Sequence, residues 1–250
     1  MEHELLVRGF EINWSRIEEE SYLRGIPAIS SLRGLRFSRP VTCFCGENGS
    51  GKSTLLEALA LACGFNPEGG TVNYHFSTRD THSSLHQAVR LIRGTRRPRT
   101  GYFLRSESFY NVASVEDEYS RGPGGCPLHL HEVSHGESFL RLARQAFVPG
   151  GLYLLDEPEA ALSPSRQLTL LLLISRCAQG GAQFILATHS PILLGIPGCE
   201  ILSFDEEVHP CSYEETESVR TYELFLGQRE RLLTRLMEET TGREERENDL

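Results

Sequence analysis

The chain has 250 residues, of which 39% are hydrophobic and 24% charged. This size and composition favour one large globular domain and exclude a collagen-like, disordered or membrane-spanning chain. The formal net charge is −9 at pH 7, so the molecule as a whole has no general attraction for nucleic acid. A local basic surface is still compatible with this balance.

Apolar runs and cysteines indicate the compartment. No apolar run approaches the roughly 20 residues that cross a bilayer, and residues 1–30 carry no apolar secretory core. The seven cysteines are an odd number without a CxxC pair, which is typical of reduced, buried thiols. We therefore expect a cytoplasmic protein that does not insert directly into a membrane.

In the first half of the chain, short apolar stretches predict strands around one long helix. The N-terminal part predicts two edge strands, with a short helix or loop at Arg16–Leu23 between them. A buried strand, a helix that ends at Gly64, a further helix and a strand follow. The predicted elements are the strands Leu5–Phe10, Leu32–Phe37, Val41–Cys45 and Tyr102–Arg105, and the helices Ser53–Cys63 and Ser84–Ile92.

The second half alternates helices with buried strands, after a flexible loop at Ser120–Pro127. The predicted helices are Gly136–Phe147, Ser165–Cys177 and an amphipathic Arg220–Glu239, and the predicted strands are Leu152–Leu155 and Gln183–Ala187. Such alternation predicts an α/β fold with a mainly parallel core sheet and N-terminal edge strands. We expect a single domain over residues 1–239, with a small helical lobe near 107–147 and a charged, disordered tail at 240–250.

A glycine-rich turn follows the strand Val41–Cys45 and matches the P-loop pattern G-x-x-x-x-G-K-[ST]. Glycines let the backbone amides curl around a phosphate, and the following helix directs its positive end at the same anion. The chain has one lysine among its 25 basic residues, and it lies in this turn, where a compact ammonium differs from a guanidinium. We expect ATP phosphates to contact Gly46, Glu47, Asn48, Gly49, Ser50, Gly51, Lys52, Ser53 and Thr54.

Two later strands end in residues suited to phosphate chemistry. Asp156 and Glu157 follow the strand Leu152–Leu155, and His189 follows the strand Gln183–Ala187. We expect Asp156 and the Ser53 hydroxyl to hold Mg²⁺, and Glu157 to orient or deprotonate the attacking water. Lys52 reaches the β- and γ-phosphates, and His189 senses the γ-phosphate; the alternative for His189 is a hydrogen-bonded core histidine.

The stretch Ser134-His-Gly-Glu-Ser138 resembles the signature sequence of ABC-class ATPases, Glu159–Ser163 resembles their D-loop, and Thr188-His189 resembles their H-switch. Residues 41–191 resemble a family of small solitary bacterial predicted ATPases and, more distantly, the heads of SMC-type and double-strand-break-repair ATPases. The resemblance implies an ABC-type P-loop ATPase head that dimerises head to tail on binding ATP. It also implies that Ser134, Gly136 and Glu137 complete the nucleotide site of the other protomer.

The sequence departs from the transporter ATPases at the Q-loop, whose glutamine is missing. Glu107, after the strand Tyr102–Arg105, is the substitute that we predict for the metal or γ-phosphate contact. Tyr22 and Trp14 are the candidates for stacking on the adenine. No heptad run occurs between the P-loop and the signature, so the long coiled-coil arm of SMC-like proteins is missing there.

For two of three further clusters, a functional interpretation stands beside the structural one. Cys43 and Cys45 point to the same face of one strand and are expected to pack in the core. A Cys/His group within ten residues has irregular spacing for a zinc site and overlaps the signature: Cys126, His129, His131 and His135. Five arginines form either a solvated loop or a contact for a phosphate backbone or an acidic partner: Arg90, Arg93, Arg96, Arg97 and Arg99.

These features favour a soluble ATP hydrolase that uses ATP and Mg²⁺ to drive dimer closure. The dimer would operate an unknown protein partner or nucleic acid, in DNA maintenance or phage defence. The alternative is the cytosolic ATP-hydrolysing subunit of an ABC transporter, and a third possibility is a binding module that uses ATP as a slow timer.

Overall fold

The computed structural model describes residues 4–67, 69–71, 83–109, 112, 114 and 130–248. Two sheets contain the nine strands of this part of the chain. These strands are β1 (Val7–Ile12), β2 (Gly34–Arg36), β3 (Val41–Cys45), β4 (Val89–Arg93), β5 (Gly101–Arg105), β6 (Leu152–Asp156), β7 (Gln183–Ala187), β8 (Glu200–Ser203) and β9 (His209–Pro210).

The larger sheet has six strands in the order β5-β6-β7-β3-β8-β9. All neighbours in it run parallel except β8 and β9. The central strands β3, β6 and β7 are buried at every residue, as expected for apolar strands with both faces covered. The predicted α/β fold with a mainly parallel core sheet is therefore confirmed.

Helices flank the core sheet. They are α1 (Pro27–Ser30), α2 (Lys52–Cys63), α3 (Leu85–Ala88), α4 (His135–Ala146), α5 (Pro164–Gln179), α6 (Pro191–Leu194) and α7 (Glu217–Asn248). Two apolar clusters lie on the two faces of the sheet, and alternate residues of β3 enter them. Cys43 and Cys45 share one cluster whereas Phe44 enters the other, so the prediction that both thiols pack in the core is confirmed.

The smaller sheet is antiparallel, in the order β2-β1-β4, and contains both predicted N-terminal strands. The buried Gln183 ties it to the core sheet, because its side-chain amide accepts from the Val7 N–H and donates to the Val7 carbonyl, at 2.8 Å each. Between β1 and β2 the predicted helix or loop at Arg16–Leu23 is occupied by two 3₁₀ turns, Trp14–Arg16 and Tyr22–Gly25.

The helix predicted over Ser84–Ile92 is wrong beyond Ala88. The chain forms only the single turn α3 and then the strand β4. Leu91 pairs with Phe10 of β1, and its half-buried side chain packs on the apolar cluster that contains Phe10. Alternating apolar and arginine residues fit a strand once β1 supplies a partner, and such pairing depends on contacts that are distant in sequence.

The C-terminal part contains elements that the sequence did not reveal. The strands β8 and β9 were not predicted, and α7 starts before Arg220 and extends past Glu239 to Asn248. Gln228 has non-helical dihedral angles (φ −138°, ψ 35°) and marks a kink in α7. The predicted loop Ser120–Pro127 and much of the predicted lobe near 107–147 lie outside the described residues. Within the described residues, no helix combines the length and apolar character needed to cross a bilayer.

Candidate functional site

The P-loop connects the buried strand β3 to the helix α2 at the carboxyl edge of the core sheet. Three of its glycines have positive φ angles, 134° at Gly46, 82° at Gly49 and 100° at Gly51. Gly51 caps α2, and a Cβ atom there would lie 2.6 Å from the Ile29 side chain. Backbone conformation thus favours glycine at all three positions and close packing requires it at Gly51, and the loop leaves backbone amides at the positive end of a helix.

Lys52 lies across this loop and is only 4% exposed. Its ammonium donates hydrogen bonds to the carbonyl oxygens of Gly46 (2.8 Å) and Glu47 (2.7 Å). Burial lowers the pKa of Lys52, while the nearby carboxylate of Glu157 opposes that shift. The single lysine of the chain is therefore oriented within the loop, as the P-loop pattern predicts.

Ser53 and Asp156 meet at the end of β6. The Ser53 hydroxyl donates a 2.8 Å hydrogen bond to Asp156 Oδ1, and the Asp156 side chain is almost fully buried. Burial raises the pKa of Asp156 to about 6, against the lowering effects of the Ser53 hydrogen bond and the Arg105 charge. A hydroxyl and a carboxylate side by side are oxygen ligands of the type that Mg²⁺ prefers.

Glu157 adopts a left-handed backbone conformation (φ 48°, ψ 49°), which is uncommon for a residue other than glycine. Its N–H donates to the Ala187 carbonyl at 2.9 Å, and its carbonyl accepts from the Ser106 hydroxyl. These two bonds to neighbouring strand ends hold the strained residue in place. The side chain of Glu157 remains half-exposed, at the mouth of the site.

His189 faces Glu157, with 4.0 Å between His189 Nε2 and Glu157 Oε1. The backbone N–H of His189 donates a 2.6 Å hydrogen bond to Glu159 Oε1, and this bond anchors the segment after β7. His189 Nε2 is a buried atom that has no hydrogen-bond partner in the described part of the chain. Burial, followed by the charge of Lys52, lowers the pKa of His189, which favours a neutral imidazole at physiological pH.

The signature-like residues lie at the start of α4. The Ser134 hydroxyl accepts a 3.0 Å hydrogen bond from Arg166, and Glu137 forms ion pairs with Arg141 (3.1 Å) and Arg166 (3.5 Å). Gly136 packs so closely on the turn Pro158–Ala161 that a Cβ atom would lie 2.4 Å from the Ala161 carbonyl oxygen. The structure therefore joins the predicted signature to the predicted D-loop.

The residue that faces Asp156 from β5 is Arg105, which sequence reasoning missed. Arg105 Nε lies 3.5 Å from Asp156 Oδ2, and Arg105 Nη1 contacts Glu57 Oε2 at 2.7 Å. The predicted Q-loop substitute, Glu107, is 88% exposed at its side chain and lies 3.7 Å from Arg105 Nη2. One signal in the sequence could have pointed to Arg105 as a site residue: it is the charged last residue of the otherwise apolar strand β5, which lies next to β6.

The two adenine-stacking candidates have different surroundings. Trp14 donates a 2.7 Å hydrogen bond to the Leu32 carbonyl, and the guanidinium groups of Arg24 and Arg33 lie 5.3 Å and 5.8 Å from its ring centre. Trp14 is thus engaged in the N-terminal fold. Tyr22 is 62% exposed in the turn that precedes α1, so it retains a ring surface open to a ligand and stays the candidate.

The Cys/His group considered for zinc is only partly described. Cys126, His129 and the His131 side chain lie outside the described residues, and the His135 ring packs edge-on against Phe109 with 5.1 Å between ring centres. Where side chains are described, three or more metal-ligating groups do not cluster anywhere.

Replacing Asp156 by asparagine should stabilise the nucleotide-free protein at neutral pH. Because burial raises the Asp156 pKa from 3.8 to about 6, folding favours the protonated carboxyl. Its contribution to stability is complete below the unfolded pKa and is lost as the pH rises through about 6. We expect D156N to exceed the parent by about 3 kcal/mol at about pH 7.5 and to match it at about pH 3.5 in urea unfolding. A difference that does not change with pH would contradict the buried, protonatable carboxyl.

Comparison with known proteins supports a nucleotide-binding assignment. A family model described as "AAA domain" matches residues 22–118, and a second, described as "AAA domain, putative AbiEii toxin, Type IV TA system", matches residues 122–195. The first match contains the P-loop, and the second contains the signature-like stretch, Asp156, Glu157 and His189. No curated protein sequence matches the chain.

Solved structures with a similar chain trace include an SMC head domain from Thermotoga maritima. It is 14% identical over 83% of this chain and 100% of its own, with a TM-score of 0.47. CbiO1 from Clostridium perfringens, part of the ABC transporter complex cbiONQ, is 16% identical over 83% of this chain and 91% of its own, with a TM-score of 0.43. Through these two family matches, which contain the P-loop and the motifs after β6 and β7, the chain is similar to P-loop ATPases with AAA domains.

Proposed function

We propose that this protein is a cytoplasmic Mg²⁺-dependent ATP hydrolase. The observation that carries the proposal is the convergence of three predicted groups at one edge of the core sheet. Lys52 lies in the P-loop, the Ser53 hydroxyl contacts Asp156 at 2.8 Å, and Glu157 faces His189 at 4.0 Å. The measurement that tests the proposal is phosphate release from ATP in Glu157 and Lys52 variants.

The residues present fit ATP and Mg²⁺. The buried His189 Nε2 lacks a partner among the described residues, and the Gly51 amide region is too tightly packed for a larger side chain. The P-loop amides and Lys52 would hold the phosphates, while Ser53 and Asp156 would hold Mg²⁺. When bound, Mg²⁺ neutralises charge that develops on the phosphate oxygens.

The other residues supply positioning and proton transfer. The half-exposed carboxylate of Glu157 can accept a proton from an attacking water, because its backbone is held by Ala187 and Ser106. A neutral His189 can donate one hydrogen bond to a phosphate oxygen from the nitrogen that has no protein partner. Placing these groups around a rigid strand edge lowers the entropy cost of reaching the reactive geometry.

We further propose that ATP closes a head-to-tail homodimer. Ser134 is exposed at the N-terminus of α4, and Gly136 and Glu137 follow it in the first turn of the same helix. Gly136 packs on the turn Pro158–Ala161, which directly follows Glu157, while Ser134 and Glu137 contact Arg166 of α5. Closing the dimer would bring the signature surface of one protomer to the nucleotide site of the other, and the Gly136 contact would couple that surface to the segment after its own catalytic carboxylate.

The effector that we propose for this cycle is nucleic acid, in DNA maintenance or phage defence. Four arginines at the end of β4 and in the following loop are exposed: Arg93, Arg96, Arg97 and Arg99. The loop is fixed at both ends, since the Thr95 N–H binds the Glu4 carboxylate and the Arg99 N–H binds the Gly150 carbonyl. Because the loop backbone is held at both ends, the exposed arginines are presented together on one surface, where their guanidinium groups can reach a phosphate backbone.

The double variant R96Q/R97Q is expected to weaken binding of a short labelled DNA duplex by about tenfold at about 50 mM salt, measured by fluorescence anisotropy. The parent's affinity should fall steeply with salt, and the variant should show a shallower slope. The double variant R229Q/R231Q makes the same charge change on exposed positions of α7 and should bind as the parent does. Equal binding by all three proteins would remove this surface from the proposal.

A further inference from the structure

Arg105 is a partly buried cation between carboxylates of three different segments. It ends β5 and is the direct register neighbour of Asp156 in β6. Its guanidinium lies 2.7 Å from Glu57 of α2, 3.5 Å from Asp156 and 3.7 Å from Glu107. The side chain is 22% exposed, so these charges interact through a medium less polar than bulk water.

The contacts with Glu57 and Asp156 differ in kind. Arg105 Nη1 forms a short hydrogen bond with Glu57, and Glu57 in turn accepts from the Ser83 N–H at 3.2 Å. Arg105 Nε is buried near Asp156 Oδ2 but makes no hydrogen bond there within the part of the chain that is described. Glu57 therefore anchors the Arg105 guanidinium. The attraction between the guanidinium and Asp156 is purely electrostatic, so another cation can replace Arg105 there.

Asp156 is thus shared between two partners of different chemistry. Its Oδ1 accepts from the Ser53 hydroxyl and its Oδ2 faces the Arg105 guanidinium. The negative charge of Glu157 also acts on Asp156, so without the Arg105 charge the Asp156 carboxylate and the adjacent Ser53 hydroxyl would attract a divalent ion more strongly. A guanidinium stays charged at all accessible pH values and has no lone pair with which to ligate a metal.

We propose that Arg105 is an internal counter-ion that keeps free divalent metal out of the nucleotide-free site. This inference rests on the proposed function in taking Ser53 and Asp156 as the Mg²⁺ ligands. The positive charge of Arg105, next to Asp156, repels free Mg²⁺. When Mg²⁺ arrives bound to ATP, the attraction of the negative phosphates to the P-loop and Lys52 outweighs this repulsion. When the metal takes the place of Arg105 beside Asp156, Glu57 keeps its contact with the guanidinium, so the Arg105 charge is not left without a partner.

The test is Mn²⁺ binding to the protein without nucleotide, followed by electron paramagnetic resonance. We expect R105Q to bind one Mn²⁺ at least about tenfold more tightly than the parent, since a repelling charge is removed. R105K keeps the charge and should behave as the parent does. The double variant R105Q/D156N should lose the gained site, and R229Q, which removes an exposed arginine of α7, should leave Mn²⁺ binding unchanged.

Folding is checked by circular dichroism, and R105M provides a second neutral variant whose straight apolar chain can pack near Phe103. Equal Mn²⁺ affinity in the parent and a folded neutral variant would overturn the proposal, as would an R105K protein that behaves like R105Q. Because no turnover is measured, a protein that fails to hydrolyse ATP can still give either result. Failure of the hydrolase assignment and failure of this inference are therefore distinguishable.

Discussion

Replacing Lys52 by alanine is expected to weaken ATP binding by about 30- to 5,000-fold, measured by titration with a fluorescent ATP analogue. The variant removes a buried ammonium at the mouth of the P-loop, where charge-assisted hydrogen bonds to phosphate are strong. Loss of one partner in a buried charge pair costs about 2–5 kcal/mol, which corresponds to this range of affinity. Phosphate release should fall to the background rate at the same time.

The fold of the K52A protein should survive, which makes the loss of binding interpretable. Among the residues that the structure describes, the Lys52 ammonium bonds only to groups of its own loop, and burial already disfavours its charge. Its removal should therefore leave the melting temperature close to that of the parent. R229A, an exposed change on α7, is the control for handling and should bind the analogue normally. A folded K52A protein that binds as tightly as the parent would exclude the P-loop as the phosphate site.

The elements that the sequence predicted well are those with strong local signals. The strand β3 and the strand β7 have the predicted bounds, because each is a short apolar run covered on both faces. The helix α2 ends where Gly64 adopts a left-handed conformation, which is a local property of glycine. Ser53 and Asp156, chosen from motifs that lie 103 residues apart in the sequence, are within hydrogen-bond distance of each other in the fold.

The features that escaped prediction depend on partners far away in the chain. The strand β4 forms because β1 pairs with it, and Leu91 alone does not specify that neighbour. Arg105 acquires its significance only when β5 lies beside β6 and α2 brings Glu57 to it. Likewise, the left-handed backbone of Glu157 follows from bonds to Ser106 and Ala187, which no local propensity indicates.

Replacing Glu157 by glutamine is expected to lower the rate of ATP hydrolysis by about 10²–10⁴-fold while ATP remains bound. Glutamine has nearly the same size and can accept the same backbone contacts, but it cannot take a proton from water. The phosphates should still be held by Lys52 and the P-loop amides, because Glu157 belongs to the mouth of the site. Single-turnover phosphate release and ATP-analogue titration measure the two effects separately.

Slow hydrolysis should also make the ATP-bound dimer visible. We expect E157Q to sediment as a dimer with ATP and Mg²⁺ and as a monomer without nucleotide, whereas the parent returns to monomer as ATP is consumed. E230Q, a matched change at an exposed position of α7, should hydrolyse ATP at the parent's rate. An unchanged rate in E157Q would exclude Glu157 as the base. A monomeric E157Q protein with ATP bound would contradict the proposed dimer closure. Bound ATP would then not be enough to bring the signature surface of one protomer to the nucleotide site of the other.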